Sequence, residues 1–197
     1  MTRYRESVRS LLRERLLDAA YELVAADGWD KMRMTRLAIA AGVSRQTVYT
    51  EFGSREAIGE ALIMREVERF LVGIQEQLDA NTADLRAAIT AGVRFTLQQA
   101  ADNPLIKSVL TNARSGNEGL LALLTVRSDQ LLNAAQTMLD AYVADVWPEM
   151  DPASRSLAIE AVVRITLSHI VQPGGSAEET ARRTAEIVMR VAQISDD

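Results

Sequence analysis

Arg45, Gln46, Tyr49 and Thr50 stand at i, i+1, i+4 and i+5 within TRLAIAAGVSRQTVYTEFGSR, residues 35–55. On a helix that spacing gathers them on one face, while Val48 and Phe52, four apart, point back to a core. One face is therefore basic, aromatic and rich in hydrogen-bonding groups, and the other is apolar. Such a face recognises a partner; it makes or breaks no bond. The elements needed to present it are two short helices, one from about Thr35 to Gly42 and one from Arg45 to about Phe52. Ala41-Gly42-Val43-Ser44 joins them. A small residue and a glycine permit a tight turn, so the pair matches a helix-turn-helix, whose second helix enters the major groove of double-stranded DNA. Thr35, Ser44 and Ser54 each offer a hydroxyl suited to capping the helix that follows it.

Composition removes most competing chemistry. The 197 residues contain no Cys and one His (His169), so thiol nucleophiles, Cys-based zinc sites and His-pair metal motifs are absent. With no Gly-rich phosphate loop either, no enzyme activity, metal or cofactor is expected. No apolar run is long enough to span a bilayer and Met1-Thr2-Arg3-Tyr4-Arg5 lacks the apolar core of a signal peptide, so a cytoplasmic location without membrane contact is expected. A hydrophobic fraction of 48% suffices for a sizeable core.

The formal charge of −5 argues against a nucleic-acid partner until it is resolved along the chain. Residues 1–60 carry ten Lys/Arg against nine Asp/Glu. Within them Lys31, Arg33, Arg36, Arg45 and Arg55 face Glu51 alone across residues 31–55, a local net charge of +4. Contact with phosphate follows local charge, so a basic island in an acidic protein is compatible with DNA. A second basic group, Arg3, Arg5, Arg9, Arg13 and Arg15 with Glu6 and Glu14, reads equally well as an arm reaching phosphate or as a disordered, soluble tail.

No segment alternates convincingly with period two, and the fold class is all-α. The first helix is expected from Val8 to Ala26, stopped at Asp27-Gly28. A long helix opens at Ser54 and reaches about Leu78. Others are expected over Asp84 to Ala101, Pro104 to about Thr111, Leu120 to Val146 with an interruption near Thr125 to Ser128, Pro152 to Val171, and from Ser176 to about Ile194. Arg114 to Gly119 reads as a loop, and Ser176 with Glu179 reads as a capping box. This divides the chain into a helix-turn-helix domain over 1–53 and a second helical domain over 54–197, with 54–78 as the connecting helix.

The chain resembles the tetracycline-repressor (TetR) family of bacterial transcriptional regulators. The likeness is carried by Arg15-Leu16-Leu17-Asp18-Ala19-Ala20, Gly28, Met34-Thr35, Ile39-Ala40-Ala41-Gly42-Val43-Ser44, Val48-Tyr49, Phe52 and Ser54-Arg55-Glu56-Ala57-Ile58, over roughly residues 12–62. It implies an all-helical homodimer whose N-terminal three-helix module binds an operator and whose C-terminal domain binds an effector. It also implies a repressor released when the effector tilts the connecting helix. By the same resemblance Thr35, Ser44, Tyr49 and Arg55 meet phosphate, and Arg45, Gln46 and Thr47 open the recognition helix toward base edges. There Arg can pair with guanine and Gln with adenine, each pair worth about 1–3 kcal/mol of discrimination. Gln46 stands where the family often has Gly, and Thr50-Glu51 where it often has His or Tyr; a carboxylate beside phosphate is repulsive, so Glu51 must point away or read cytosine N4.

Downstream, the segment Leu157 to Val171 is apolar nearly all round and the last helix carries a stripe of small apolar residues. By resemblance the two pair with their twins in a four-helix bundle, a two-fold contact expected at Leu157, Ala161, Ile165, Ala185, Val188, Val191 and Ala192. Phe70, Ile74, Phe95, Ile106, Leu110, Met138, Tyr142, Ile165 and His169 are the candidate pocket lining, with few charges among them, so the expected effector is small and largely apolar, such as a fatty-acyl or lipid-like molecule. The competing expectation is a helical protein-interaction module without specific DNA binding.

Overall fold

The computed structural model describes residues 2–107 and 119–191, with side chains described for 7–107 and 132–191. The helices are α1 (Thr2–Asp27), α2 (Met34–Ala40), α3 (Arg45–Phe52), α4 (Arg55–Asp79), α5 (Leu85–Asp102), α6 (Gly119–Val146), α7 (Pro152–Val171) and α8 (Ala177–Val191). A single 3-10 turn, Trp29–Lys31, links α1 to α2, and residues 104–107 are helical behind Pro104. There is no strand among the described residues, as the all-α reading requires.

Caps set most of these starts. Ser44 Oγ accepts from Thr47 N at 3.0 Å, Ser54 Oγ from Ala57 N at 3.1 Å, Asp84 Oδ1 from Ala87 N at 3.0 Å, Asp151 Oδ2 from Ser154 N at 2.9 Å and Ser176 Oγ from Glu179 N at 3.2 Å. Each satisfies a backbone donor that the helix itself leaves unpaired. The Glu179 carboxylate turns to Arg183 at 2.7 Å, in the manner of an i,i+4 ion pair.

Three expected boundaries move. Helix α1 begins at Thr2, so the backbone of the basic arm is helical; adding residues to an existing helix costs far less than starting one. Helix α2 begins at Met34 with Arg33 at its N-cap in extended conformation, which places Thr35 inside the first turn, where it caps nothing. Burial fixes that register: Met34, Leu37 and Ala38 are buried and Ile39 is 76% exposed. Helix α6 runs through residues 125–128 without the expected interruption.

The chain divides into two compact units. The first comprises the described residues of Met1–Glu66 and Pro104–Val126. Its core joins Leu16, Ala20 and Val24 of α1, Leu37 of α2, Val48 of α3 and Ile58 and Leu62 of α4, all essentially inaccessible to water. At about 1.5–3 kcal/mol for each large aliphatic side chain buried, these contacts are the main force holding α3 in place. The second unit comprises Val67–Asn103 and the described residues of Arg127–Asp197. In it α8 packs on α5 and α7 through Ala181, Ala185 and Val188, with Val188 against Ala158, Ala161, Val162 and Ile89. The small residues let the helix axes approach closely.

Candidate nucleic-acid interface

The turn between α2 and α3 fixes the angle at which α3 is presented. Gly42 N donates to Ile39 O at 3.1 Å and Val43 N to Ala38 O at 3.0 Å, the paired hydrogen bonds of a Schellman motif. That closure requires a left-handed residue, and Gly42 has φ +64°. A Cβ there would also meet Arg15 Nη2 at 2.9 Å, so α1 lies against the turn as well.

Helix α3 buries Val48 and Phe52 and exposes Arg45, Gln46, Tyr49 and Thr50, the face that the spacing assigns. Arg45 and Tyr49 act as a unit: Arg45 Nη2 donates to the Tyr49 hydroxyl at 3.2 Å, and its guanidinium lies 5.2 Å from the ring centroid. The contact holds a flexible cation upright on the outer face, at roughly 0.5–1 kcal/mol for an exposed cation–π pair. Thr47 is half-buried and its hydroxyl lies 2.8 Å from that of Ser44, so it serves the cap instead of standing clear of the helix. Thr35 is exposed in the first turn of α2.

The other arginines of the basic island are engaged locally. Arg33 donates to the Asp30 and Met32 carbonyls. Arg36 donates to the Lys31 carbonyl at 3.3 Å and pairs with Asp27, whose carboxyl is held below the ordinary range by that hydrogen bond and by the Arg36 charge. Arg55 donates to Trp29 O and stacks 4.5 Å from the Trp29 ring centroid. Burial first, then the Arg33 charge, lowers its pKa. The connector thus fastens the start of α4, a role for Trp29 that nothing in the local sequence announces.

Glu51, the one acid on α3, points away from the exposed face. Its carboxylate is 7% exposed and accepts from Arg9 Nε at 2.9 Å and Arg13 Nη1 at 3.4 Å. Arg13 also lies 4.6 Å from the Phe52 ring centroid. Two arginines of the basic arm, both within the helix expected from Val8, are therefore part of the folded module.

In the second unit the structure brings together two of the expected pocket residues. Phe70 and Phe95 meet edge to face with centroids 6.3 Å apart, and a Cβ added at Gly92 would lie 4.0 Å from Ile74 Cγ2. Tyr142 departs from the expected lining: its hydroxyl donates to Asp79 Oδ1 at 2.7 Å and its ring packs on Trp147, so α6 is tied to the end of α4. Burial, then the Asp79 hydrogen bond, raises its pKa to about 12. Met138, Ile165 and His169 are half-buried, and His169 Nδ1 is buried without a hydrogen-bond partner among the described residues. Ile106 belongs to the first unit, and Leu110 lies outside the described residues.

Two expected dimer residues are corrected. Ala185 and Val188 are fully buried inside the second unit and cannot face another chain. The apolar side chains left outward are Leu157 (45% exposed), Leu167 and Val171 on α7 and Ile187 and Val191 on α8. Ala161 and Ile165 are half-buried, and Ala192 is outside the described residues. Small residues on the last helix mark close packing without saying against which chain.

Comparison with known proteins matches both halves. Residues 16–62 match the model described as bacterial regulatory proteins, tetR family, and residues 84–190 the model described as Bacterial Tetracyclin repressor, C-terminal domain. The HTH-type transcriptional regulator AlkX of Mycobacterium tuberculosis is 30% identical over 190 residues, covering 96% of this chain and 89% of that protein. The crystal structure of the TetR family repressor AlkX from Dietzia sp., implicated in biodegradation of n-alkanes, superposes with a TM-score of 0.73 at 26% identity, covering 91% of this chain and 96% of that one. The fatty acid metabolism regulator protein of Bacillus subtilis is 24% identical over 131 residues, 66% of this chain and 65% of that protein. Among the described residues no group could hold a metal ion and no helix is long and apolar enough to cross a membrane.

Proposed function

Since the chain belongs to the tetR family of bacterial regulatory proteins and is a DNA-binding transcriptional regulator, not an enzyme, we propose that it is a homodimeric repressor whose α3 reads an operator and which an apolar, aliphatic effector releases. The exposed Arg45, Gln46, Tyr49 and Thr50 on a helix locked by the Gly42 turn carry this reading. Arg45 and Gln46 read base edges. Tyr49, Thr50 and the first turns of α2 and α3, with Thr35 and Ser44, meet phosphate. The dimer face is the outward stripe Leu157, Leu167 and Val171 with Ile187 and Val191, which spaces two α3 helices for successive major grooves.

For the effector, support comes from the aromatic and aliphatic wall of Phe70, Ile74 and Phe95 and from relatives named for alkane degradation and fatty acid metabolism. Helix α4 carries Phe70 and Ile74 of this wall and, in Ile58 and Leu62, part of the core behind α3. An effector favouring one setting of α4 therefore acts on the recognition helix through a single continuous element. To weaken operator binding a hundredfold it must prefer the released arrangement by about 2.7 kcal/mol.

The test is selection of a binding site from a random-sequence duplex pool, followed by titration of the protein–DNA complex with medium- and long-chain alkanols, fatty acids and acyl thioesters. A two-fold symmetric site released by one chain-length class supports the reading. A selected site that none of these compounds releases removes the aliphatic effector, and failure to enrich any sequence removes specific recognition.

A further inference from the structure

The Glu51 contact leaves two arginines held, but not covered. Arg9 donates through Nε, the inner edge of its guanidinium, and its side chain remains 69% exposed. Arg13 donates through Nη1, has its plane set by the Phe52 ring, and remains 41% exposed. An arginine fixed on one edge by a buried carboxylate presents its other N–H groups in a defined direction, the arrangement in which a guanidinium forks onto a phosphate at small ordering cost. The carboxylate is itself buried beneath the two guanidiniums, so the outward surface is cationic, and three charges in contact sum to +1 beside the recognition helix. Both arginines lie on α1 ahead of residue 16, where the match to the family's DNA-binding model begins.

We propose that Arg9 and Arg13 form a second phosphate-binding site on the flank of α3, oriented by Glu51 as a positioning residue. The proposal rests on α3 being the recognition helix. On binding, the outward Nη groups of both arginines take DNA phosphate while Glu51 keeps its inner hydrogen bonds. The site adds affinity without reading sequence.

Each protein cation that neutralises a phosphate adds about 0.9 to the slope of log K against log salt. The experiment measures that slope from 50 to 200 mM salt with a mixed-sequence duplex of about 30 base pairs and with the selected operator. Proteins are the parent, Arg9→Gln, Arg13→Gln, the double variant, and Arg183→Gln as a control, since Arg183 is an exposed partner of Glu179 in the second unit. Between those salts each lost contact should shrink the weakening by about threefold, and the pair by about tenfold, on both duplexes alike. Arg183→Gln should leave the slope unchanged. Glu51→Gln, which keeps both cations and removes their orientation, should weaken binding with the slope nearly retained. A double variant with the parental slope overturns the proposal, whatever its affinity, because a purely structural loss changes affinity and melting temperature without changing the number of counterions released. Helicity and melting temperature confirm that each variant is folded; if the double variant is not, the single variants decide. A parent that shows no salt-dependent binding at all sinks the recognition-helix reading instead.

Discussion

Replacing Arg45 with Ala and Tyr49 with Phe separates base reading from phosphate contact on the same helix face. Both side chains are exposed and touch each other, with the hydroxyl 3.2 Å from Arg45 Nη2, so neither substitution opens a cavity, and the melting temperature should hardly move. Arg45→Ala removes a guanidinium assigned to a base edge, worth about 1–3 kcal/mol, or about 5- to 150-fold on the operator. On scrambled DNA it should cost little beyond one electrostatic contact, so the ratio of specific to non-specific affinity collapses. Tyr49→Phe removes a hydroxyl assigned to phosphate. A hydrogen bond to a charged group is worth about 1.5–3 kcal/mol, so affinity should fall roughly 10- to 150-fold on operator and scrambled DNA alike, with the specificity ratio preserved. Because the hydroxyl also steadies Arg45, the double variant should lose less than the two single losses combined. The assay is fluorescence anisotropy on both duplexes at one fixed salt concentration. If Arg45→Ala weakened both duplexes equally, Arg45 would be a phosphate contact and the assignment of specificity to the start of α3 would be wrong.

Three further outcomes probe the rest of the molecule. An added Cβ at Gly73 would overlap the Phe95 ring, so Gly73→Ala should destabilise by about 1–3 kcal/mol in urea unfolding, and Phe95→Leu should recover much of that loss; a Gly73→Ala protein as stable as the parent would refute the close α4–α5 approach. Leu157→Glu with Ile187→Glu should give a folded monomer by sedimentation velocity at micromolar concentration, whereas Val188→Glu should unfold the second unit; a dimer surviving the first pair would place the interface elsewhere. The folded pKa of Tyr142, raised to about 12, lies above its ordinary value near 10, so its contribution to stability is complete below pH 10 and disappears as pH rises toward 12. Tyr142→Phe should flatten that alkaline limb in thermal melts recorded from pH 8 to 11, and an unchanged limb would assign it to other groups.

Local pattern and long-range pairing were not equally legible. Ser44, Ser54 and Asp84 announce themselves because a cap and its backbone partner lie three residues apart, and the exposed face of α3 follows from spacing alone. The register of α2 did not follow: Thr35 looks like a cap, yet Leu37 and Ala38 must both be buried, and that forces the helix to start at Met34 behind an uncapped Arg33. Whether an apolar stripe faces its own chain or a second one is equally invisible: Ala185 and Val188 suit a dimer face by type, yet both are buried within their own unit. Glu51 is the sharpest case. Its charge makes it an anomaly on a DNA-reading helix, and its partners lie 38 and 42 residues earlier, in a segment whose composition suits a tail as well as a helix. Once that helix forms, Arg9 and Arg13, one turn apart, converge on a single carboxylate. The anomaly and the unexplained basic arm are then two halves of one feature, and the charge that argued against phosphate becomes the group that aims two arginines at it.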